Sequence, residues 1–167
     1  MGALFARGDL CFDVGANRGA RTEVLLRLGA EVVAVEPQPH CVARLQARFG
    51  AKKRFQVVSK ALGARHGEAT LHLGNIDLIS TLSRDWLDYA QQVPDSIIAK
   101  IGWEGTLTVP LITLDALIAT HGVPDFLKID VEGYELEVLK GLGQPIPLVS
   151  LEYTHGRLQP TLIAFLD

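Results

Sequence analysis

The stretch LCFDVGANRG, Leu10 to Gly19, decides the fold. Its first half, Leu10 to Val14, is a nearly continuous apolar run, the composition of a strand covered on both faces. Its second half sets Gly15 and Gly19 on either side of Asn17, where the backbone can turn sharply with no Cβ in the way. A helical pattern follows, with Val24, Leu25 and Leu28 on one face and Gly29 as its stop. A strand that runs through a glycine turn into a helix opens a βαβ unit, and repeated units build right-handed crossovers and a mostly parallel sheet.

The rest of the chain continues the alternation. EVVAVE (Glu31 to Glu36) reads as the second strand, and a helix begins at Pro39 and ends at Gly50. RFQVVSKAL (Arg54 to Leu62) is the third strand. ATLHLG (Ala69 to Gly74) alternates and reads as a short extra strand at the sheet's edge. TLTVPLITL (Thr106 to Leu114) leads into a helix to His121, stopped by Gly122. DFLKIDV (Asp125 to Val131) is another buried strand, Tyr134 to Lys140 a short helix, PLVSLEY (Pro147 to Tyr153) a further strand, and Pro160 opens a last helix. Residues 75–104 break the rhythm. They hold Trp86, Tyr89 and Trp103 and a short helix from Asp85 to Gln92. Long insertions in compact domains are often lids or binding loops, which makes this segment a candidate substrate cover. The same rings equally suit a satellite core beneath a loop. The whole, residues 1–167, reads as one α/β domain.

Composition narrows the function classes. Hydrophobic residues make up 48% and charged residues 21% of the 167, ordinary for a soluble domain with one core and too apolar for intrinsic disorder. A net charge of −3 argues against a nucleic-acid surface. No apolar run approaches the roughly 18 residues of a membrane span. MGALFARGDL lacks the apolar stretch of a signal peptide, and Ala6 stands where a myristoylation motif wants Ser or Thr. Two cysteines, Cys11 and Cys41, make neither a disulfide framework nor a metal cage. A cytoplasmic, reduced protein is expected, without a membrane or nucleic-acid partner and with its oligomeric state open.

Ligands of parallel sheets bind beyond the carboxyl ends of the strands. Asp13, Gly15, Asn17 and Gly19 lie there after the first strand, and Glu36 closes the second, 21 residues after Gly15. An acidic residue about 20 positions past a glycine loop accepts hydrogen bonds from the ribose hydroxyls of an adenosine. Taken singly, the loop is a plain turn and Glu36 an exposed carboxylate; the paired spacing favours adenosine. A dinucleotide loop has glycine where Asn17 stands, and no P-loop exists. Asp13 would repel phosphate but suits a ligand carrying ammonium or sulfonium charge. S-adenosyl-L-methionine carries both and has no phosphate.

D-x-G-x-N-x-G followed by an acidic strand end looks like motifs I and II of class I S-adenosylmethionine-dependent methyltransferases. With FDVGANRG, VVAVEPQP and KALG, the stretch FLKIDVEGYELEVLKG (Phe126 to Gly141) resembles the FkbM family of methyltransferases. The resemblance runs from about Gly8 to Tyr153, and its K-I-D-V-E-G-x-E motif is the more specific part. It implies a Rossmann-like, mostly parallel sheet of core order 3-2-1-4-5 with helices on both faces. Five core strands can be placed, so the sheet is expected to lack the reversed hairpin of strands six and seven that ends a class I sheet. It also implies O-methylation of a hydroxyl on a small molecule such as a sugar or polyketide, with S-adenosyl-L-methionine as cofactor. Carried over, Asp13, Gly15 and Asn17 would hold the methionine end, Glu36 the ribose, Pro37 and Ala61 the adenine, and Asp130 would face the methyl donor.

An alcohol is a poor nucleophile at neutral pH, so a positioned base helps. Asp130 and Glu132, two residues apart on a strand, would share a face, and close carboxylates push one pKa upward. Glu152 near the end of the next strand is a third candidate and His155 a fourth, the histidine reading more readily as an ordinary loop residue. Glu132 with Gly133 equally suits a cap for the helix at Tyr134. A magnesium-assisted variant would use Asp130 and Glu152, but no third ligand stands at matching spacing, so no metal is expected. The alternative to an enzyme is a non-catalytic adenosyl-ligand module or an inactive methyltransferase core. A nicotinamide enzyme is disfavoured by Asn17. DNA amino-methylation is disfavoured by Asp130-Val131-Glu132-Gly133 where those enzymes have D/N-P-P-Y/F.

Overall fold

The computed structural model describes residues 6–75, 79–92 and 102–152. In chain order the elements are β1 (Leu10–Val14), α1 (Ala20–Leu28), β2 (Glu31–Val35), α2 (Pro39–Phe49), β3 (Phe55–Val58), β4 (Ala61–Leu62), β5 (Gly67–Gly74), β6 (Ser80–Thr81), α3 (Arg84–Gln92), β7 (Trp103–Ile112), α4 (Leu114–His121), β8 (Phe126–Ile129), α5 (Glu135–Leu139) and β9 (Val149–Leu151). The expected helix after Pro160 and His155 lie outside the described residues.

Five strands form a parallel sheet in the order β3-β2-β1-β8-β9, which is the expected 3-2-1-4-5 core. Side-chain alternation splits its interior in two. Cys11, Val32, Ala34 and Phe55 pack with Leu25 and Leu26 of α1 and with Leu45 and Phe49 of α2. Phe12, Val14, Val33, Val35, Leu127 and Ile129 pack on the opposite face with Leu114, Leu117 and Ile118 of α4 and with Val138 and Leu139 of α5. Apolar side chains on both faces of β1 and β2 explain why these strands read as continuous rather than alternating.

Two strand expectations are corrected. The run from Arg54 to Leu62 is not one strand: β3 ends at Val58, and Ala61–Leu62 pairs with β7 in a second, four-stranded sheet of order β4-β7-β5-β6. The strand expected at the edge of the central sheet from Ala69 to Gly74 also belongs to that second sheet, where β5 runs antiparallel to β7 from Gly67↔Leu111 to Gly74↔Trp103. Hydrophobic pattern reports burial and not the identity of the partner strand. The second sheet has its own core of Ala61, Leu71 and Val109.

Candidate functional site

A cavity of about 440 Å³ opens where β1, β2 and β8 end, facing the second sheet. That volume lies in the range of small-molecule sites. Its floor is Val14 and Val35. Around it stand Gly15 to Arg18 after β1, Glu36 to Gln38 after β2, Lys60 to Leu62 at β4, and Lys128 with Asp130 to Glu132 at the end of β8. Leu71, Ser80 and Leu82 close it from the second-sheet side, and Tyr134 from just before α5.

Of the residues singled out in the sequence, Gly15, Asn17, Glu36, Pro37, Ala61, Asp130 and Glu132 line this cavity. Asp13 and Gly19 do not reach its wall. Asp13 is fully buried on the α1 face, where its Oδ2 accepts a 2.6 Å hydrogen bond from Thr22 Oγ1. Gly19 is the left-handed residue before α1, packed toward Leu45 and Phe49. Glu152 lines a neighbouring groove rather than the cavity. Trp86 is buried against Trp103, Ala90 and Ile79, which is the satellite-core reading, and neither tryptophan lines the cavity. What residues 75–104 contribute to the wall, among the described residues, is Ser80 and Leu82.

Two loops shape the wall, and both carry left-handed backbone. Gly15 has φ +75°, and a Cβ placed there would stand 1.8 Å from the Asp130 carbonyl oxygen, so only glycine fits. Asn17 (φ 48°) and Glu132 (φ 53°) are the described non-glycine residues with positive φ, and both line the cavity. Such conformations persist where surrounding contacts over-determine them, and they cluster at ligand sites. At the first loop the contact is Glu36. Its Oε2 accepts the Asn17 N–H at 2.8 Å and its Oε1 the Gln38 N–H at 2.8 Å. Burial pushes the Glu36 carboxyl above its ordinary range, and the two backbone N–H groups oppose that push.

At the second loop the contact is Glu135, whose Oε1 accepts the N–H groups of Val131 and Gly133, each at 3.1 Å. Glu132 is therefore not on a strand beside Asp130, because β8 ends at Ile129 and the chain turns away. It does not cap α5 either: the N-cap residue is Tyr134, with no side-chain cap. Its carbonyl accepts a 2.6 Å hydrogen bond from Thr81 Oγ1, tying the loop to the second sheet. Burial raises the Glu132 carboxyl to about 7, helped by the charges of Asp130, Glu135 and Glu152.

Lys128 carries a role the sequence analysis did not assign. It sits in β8 opposite Asp13 in β1, only 8% exposed. Its Nζ lies 3.1 Å from Asp130 Oδ2 and 3.4 Å from Asp13 Oδ1. Two carboxylates share one ammonium, which leaves a net negative charge at the cavity edge. The signal was legible in FLKIDV: a lysine inside an apolar parallel strand must find a carboxylate to be tolerated there. Glu135, the last residue of K-I-D-V-E-G-x-E, was likewise quoted without a function.

These residues fit S-adenosyl-L-methionine. The net negative edge at Asp130 complements a cationic ligand, and Glu36 retains lone pairs beyond the two backbone N–H bonds, enough to accept hydroxyls. Among the described residues no group of three His, Cys, Asp or Glu side chains is placed to hold a metal ion, and no helix is long and apolar enough to cross a membrane.

Comparison with known proteins agrees with this geometry. The Methyltransferase FkbM domain matches residues 13–164. A hexuronic acid methyltransferase of Haloferax volcanii is 28% identical over 144 residues, covering 85% of this chain and 53% of that protein. A 2-O-methyltransferase of Sinorhizobium fredii is 27% identical over 151 residues, covering 86% of this chain and 61% of that protein. A chloroplastic ribosomal RNA small subunit methyltransferase of Arabidopsis thaliana is 31% identical over 94 residues, 56% of this chain and 24% of that one. The chain thus spans between half and two thirds of the length of the first two relatives. The C-terminal domain of precorrin-6Y C5,15-methyltransferase from Rhodobacter capsulatus superposes with a TM-score of 0.52 at 14% identity, covering 96% of this chain and 61% of that one, a likeness of fold. The match across residues 13–164 decides the family: the chain belongs to the FkbM methyltransferases.

Proposed function

We propose that this FkbM-family chain binds S-adenosyl-L-methionine in the 440 Å³ cavity and methylates a hydroxyl of a small molecule, a sugar being the acceptor class. The observation that carries the reading is Glu36: an acidic residue at the end of β2 that lines the cavity while bracing the glycine loop after β1. The relatives named for hexuronic acid and for 2-O-methylation favour a sugar hydroxyl over other acceptors. The net charge of −3 disfavours an RNA acceptor. The buried cysteines Cys11 and Cys41 form no disulfide among the described residues, which suits a cytoplasmic, reducing setting.

The cofactor supplies an electrophilic methyl group on a sulfonium, already joined to a good leaving group. What this chain adds is alignment and a base, and alignment alone can supply much of the rate. Glu36 takes the ribose hydroxyls, with Pro37 and Ala61 beside the adenine. Gly15 and Asn17 let the loop backbone approach the methionine end, and Asp130, fixed by Lys128, faces the cationic group. Asp13 works through Lys128 rather than by touching the ligand. Glu132 takes the proton of the acceptor hydroxyl; a carboxyl raised to about 7 is a far better base near neutral pH than an ordinary one.

Calorimetry with S-adenosyl-L-methionine, its demethylated product and NAD tests the class. Binding of the first two and not of NAD is expected, and no binding of either adenosyl ligand sinks the proposal. Tight adenosyl binding with no methyl release to any of a panel of glycosides would leave the non-catalytic module as the better reading.

A further inference from the structure

A groove of about 210 Å³ lies beside the cavity, on the α1 face of the sheet against β8 and β9. It shares two residues with the cavity, Arg21 and Lys128. Of these two cations, Lys128 is engaged by Asp13 and Asp130. Arg21 is exposed and makes no ion pair or hydrogen bond with any described residue. The rest of the groove is lined by the apolar Val24, Leu25 and Phe126 together with the polar Ser150 and Glu152. An apolar wall with a few convergent polar groups is the usual make-up of a small-molecule site, and it matches a sugar ring, which has C–H faces and a hydroxyl rim.

We infer that this groove is the outer half of the acceptor site and that the acceptor is a sugar bearing a carboxylate, read by Arg21. The inference rests on the methyltransferase proposal above and adds to it the charge of the acceptor. An arginine guanidinium presents paired N–H groups that match a carboxylate in two-point geometry, and this one has no competing partner among the described residues. Glu152 fixes the orientation: its charge opposes a carboxylate, so the acid lies at the Arg21 end and hydroxyls meet Glu152 and Ser150. A ring held this way spans the Arg21–Lys128 wall, on whose cavity side Asp130 stands 3.1 Å from Lys128.

The test is direct binding, independent of turnover. Affinity for the demethylated cofactor is measured first. Protein saturated with it is then titrated with methyl glucuronide and with neutral methyl glucoside, followed by ligand-observed NMR. The uronate should bind at least about tenfold more tightly, as one charge-assisted two-point contact warrants. The gap should narrow as salt rises. Arg21→Gln should bring the two sugars to similar affinity, and Ser150→Trp, which fills the groove from β9, should weaken both. Circular dichroism of each variant establishes that it is folded. Equal affinities in the unmodified protein, no measurable uronate binding, a preference that survives Arg21→Gln, or sugar binding unaffected by Ser150→Trp each overturns the inference. Failure of the demethylated cofactor to bind overturns the underlying methyltransferase reading instead, so the two failures are told apart at the first step.

Discussion

The loops after β1 and after β8 are two solutions to one problem. Each holds a non-glycine residue in left-handed backbone against the cavity, Asn17 in one and Glu132 in the other. Each is held by a buried glutamate that accepts two backbone N–H groups, Glu36 and Glu135. The braces differ in where they come from. Glu36 arrives from β2, 19 residues along the chain from Asn17, and gives one oxygen to each N–H. Glu135 belongs to the helix its own loop leads into and takes both N–H groups on a single oxygen. The first brace lines the cavity and the second does not. One glutamate thus both braces and lines the cavity, whereas at β8 the two are divided, with Glu135 bracing and Glu132 lining the cavity.

The largest effect should come where the two loops touch. Gly15→Ala puts a Cβ 1.8 Å from the Asp130 carbonyl, which is backbone and cannot rotate away, at a φ that alanine adopts poorly. Overpacking of this kind costs about 1–3 kcal/mol, and the backbone conformation adds roughly 1–2 kcal/mol more. The urea midpoint should fall accordingly, and cofactor affinity with it. A variant as stable as the parent would mean that the loops do not meet as described.

Glu36→Ala comes next. It leaves the N–H groups of Asn17 and Gln38 without their acceptor, at about 1–3 kcal/mol for each buried group, and removes the proposed ribose contact. Calorimetry should show adenosyl binding weakened at least about tenfold. Glu135→Ala also strips two N–H groups, so its stability loss should be of similar kind but smaller, on the order of 2 kcal/mol, because the loop is more open to water. Its adenosyl affinity should change little. That contrast breaks if Glu135→Ala weakens binding as much as Glu36→Ala, since the two loops would then form one unit.

Sequence reading recovered the first loop better than the second for a physical reason. Gly15, Asn17 and Glu36 announce themselves through spacing, because a strand–turn–helix–strand unit has a nearly fixed length. The alternation of strands and helices likewise followed from apolar runs with glycine punctuation, whereas the sheet order came from the family resemblance. At the second loop, alternation was extended from Phe126 through Val131, and Asp130 and Glu132 were set on one strand face. Only the left-handed turn at Glu132 and Gly133 separates them, and no periodicity encodes it. The second sheet was missed because β5 and β7 pair across a long connection, and β4 was missed because the chain changes sheet between two apolar pairs. Lys128 and Glu135 were visible as buried charges in an apolar context, a signal that asks for a partner without naming it.

The smallest expected change in stability is the most informative about roles. A Glu132 carboxyl held at about 7 in the folded protein, against an ordinary 4.5, binds its proton more tightly folded than unfolded. Stability from this group is therefore fully present below about pH 4.5 and is lost as pH rises through 7. Glu132→Gln has no carboxyl to ionise. It should match the parent near pH 4 and exceed it at pH 8 by on the order of 2 kcal/mol, read from urea midpoints at the two pH values. Methyl transfer should fall by roughly two orders of magnitude or more in the same variant, because the proposed base is gone. A residue that only braced its loop, as Glu135 does, would lose stability on substitution. One that gains stability as it loses activity is held in an unfavourable state for the reaction, the expected trade at a catalytic position. If the parent's stability between pH 4 and 8 simply tracks that of Glu132→Gln, the carboxyl is solvated like any surface glutamate, and Asp130 or Glu152 becomes the better candidate for the base.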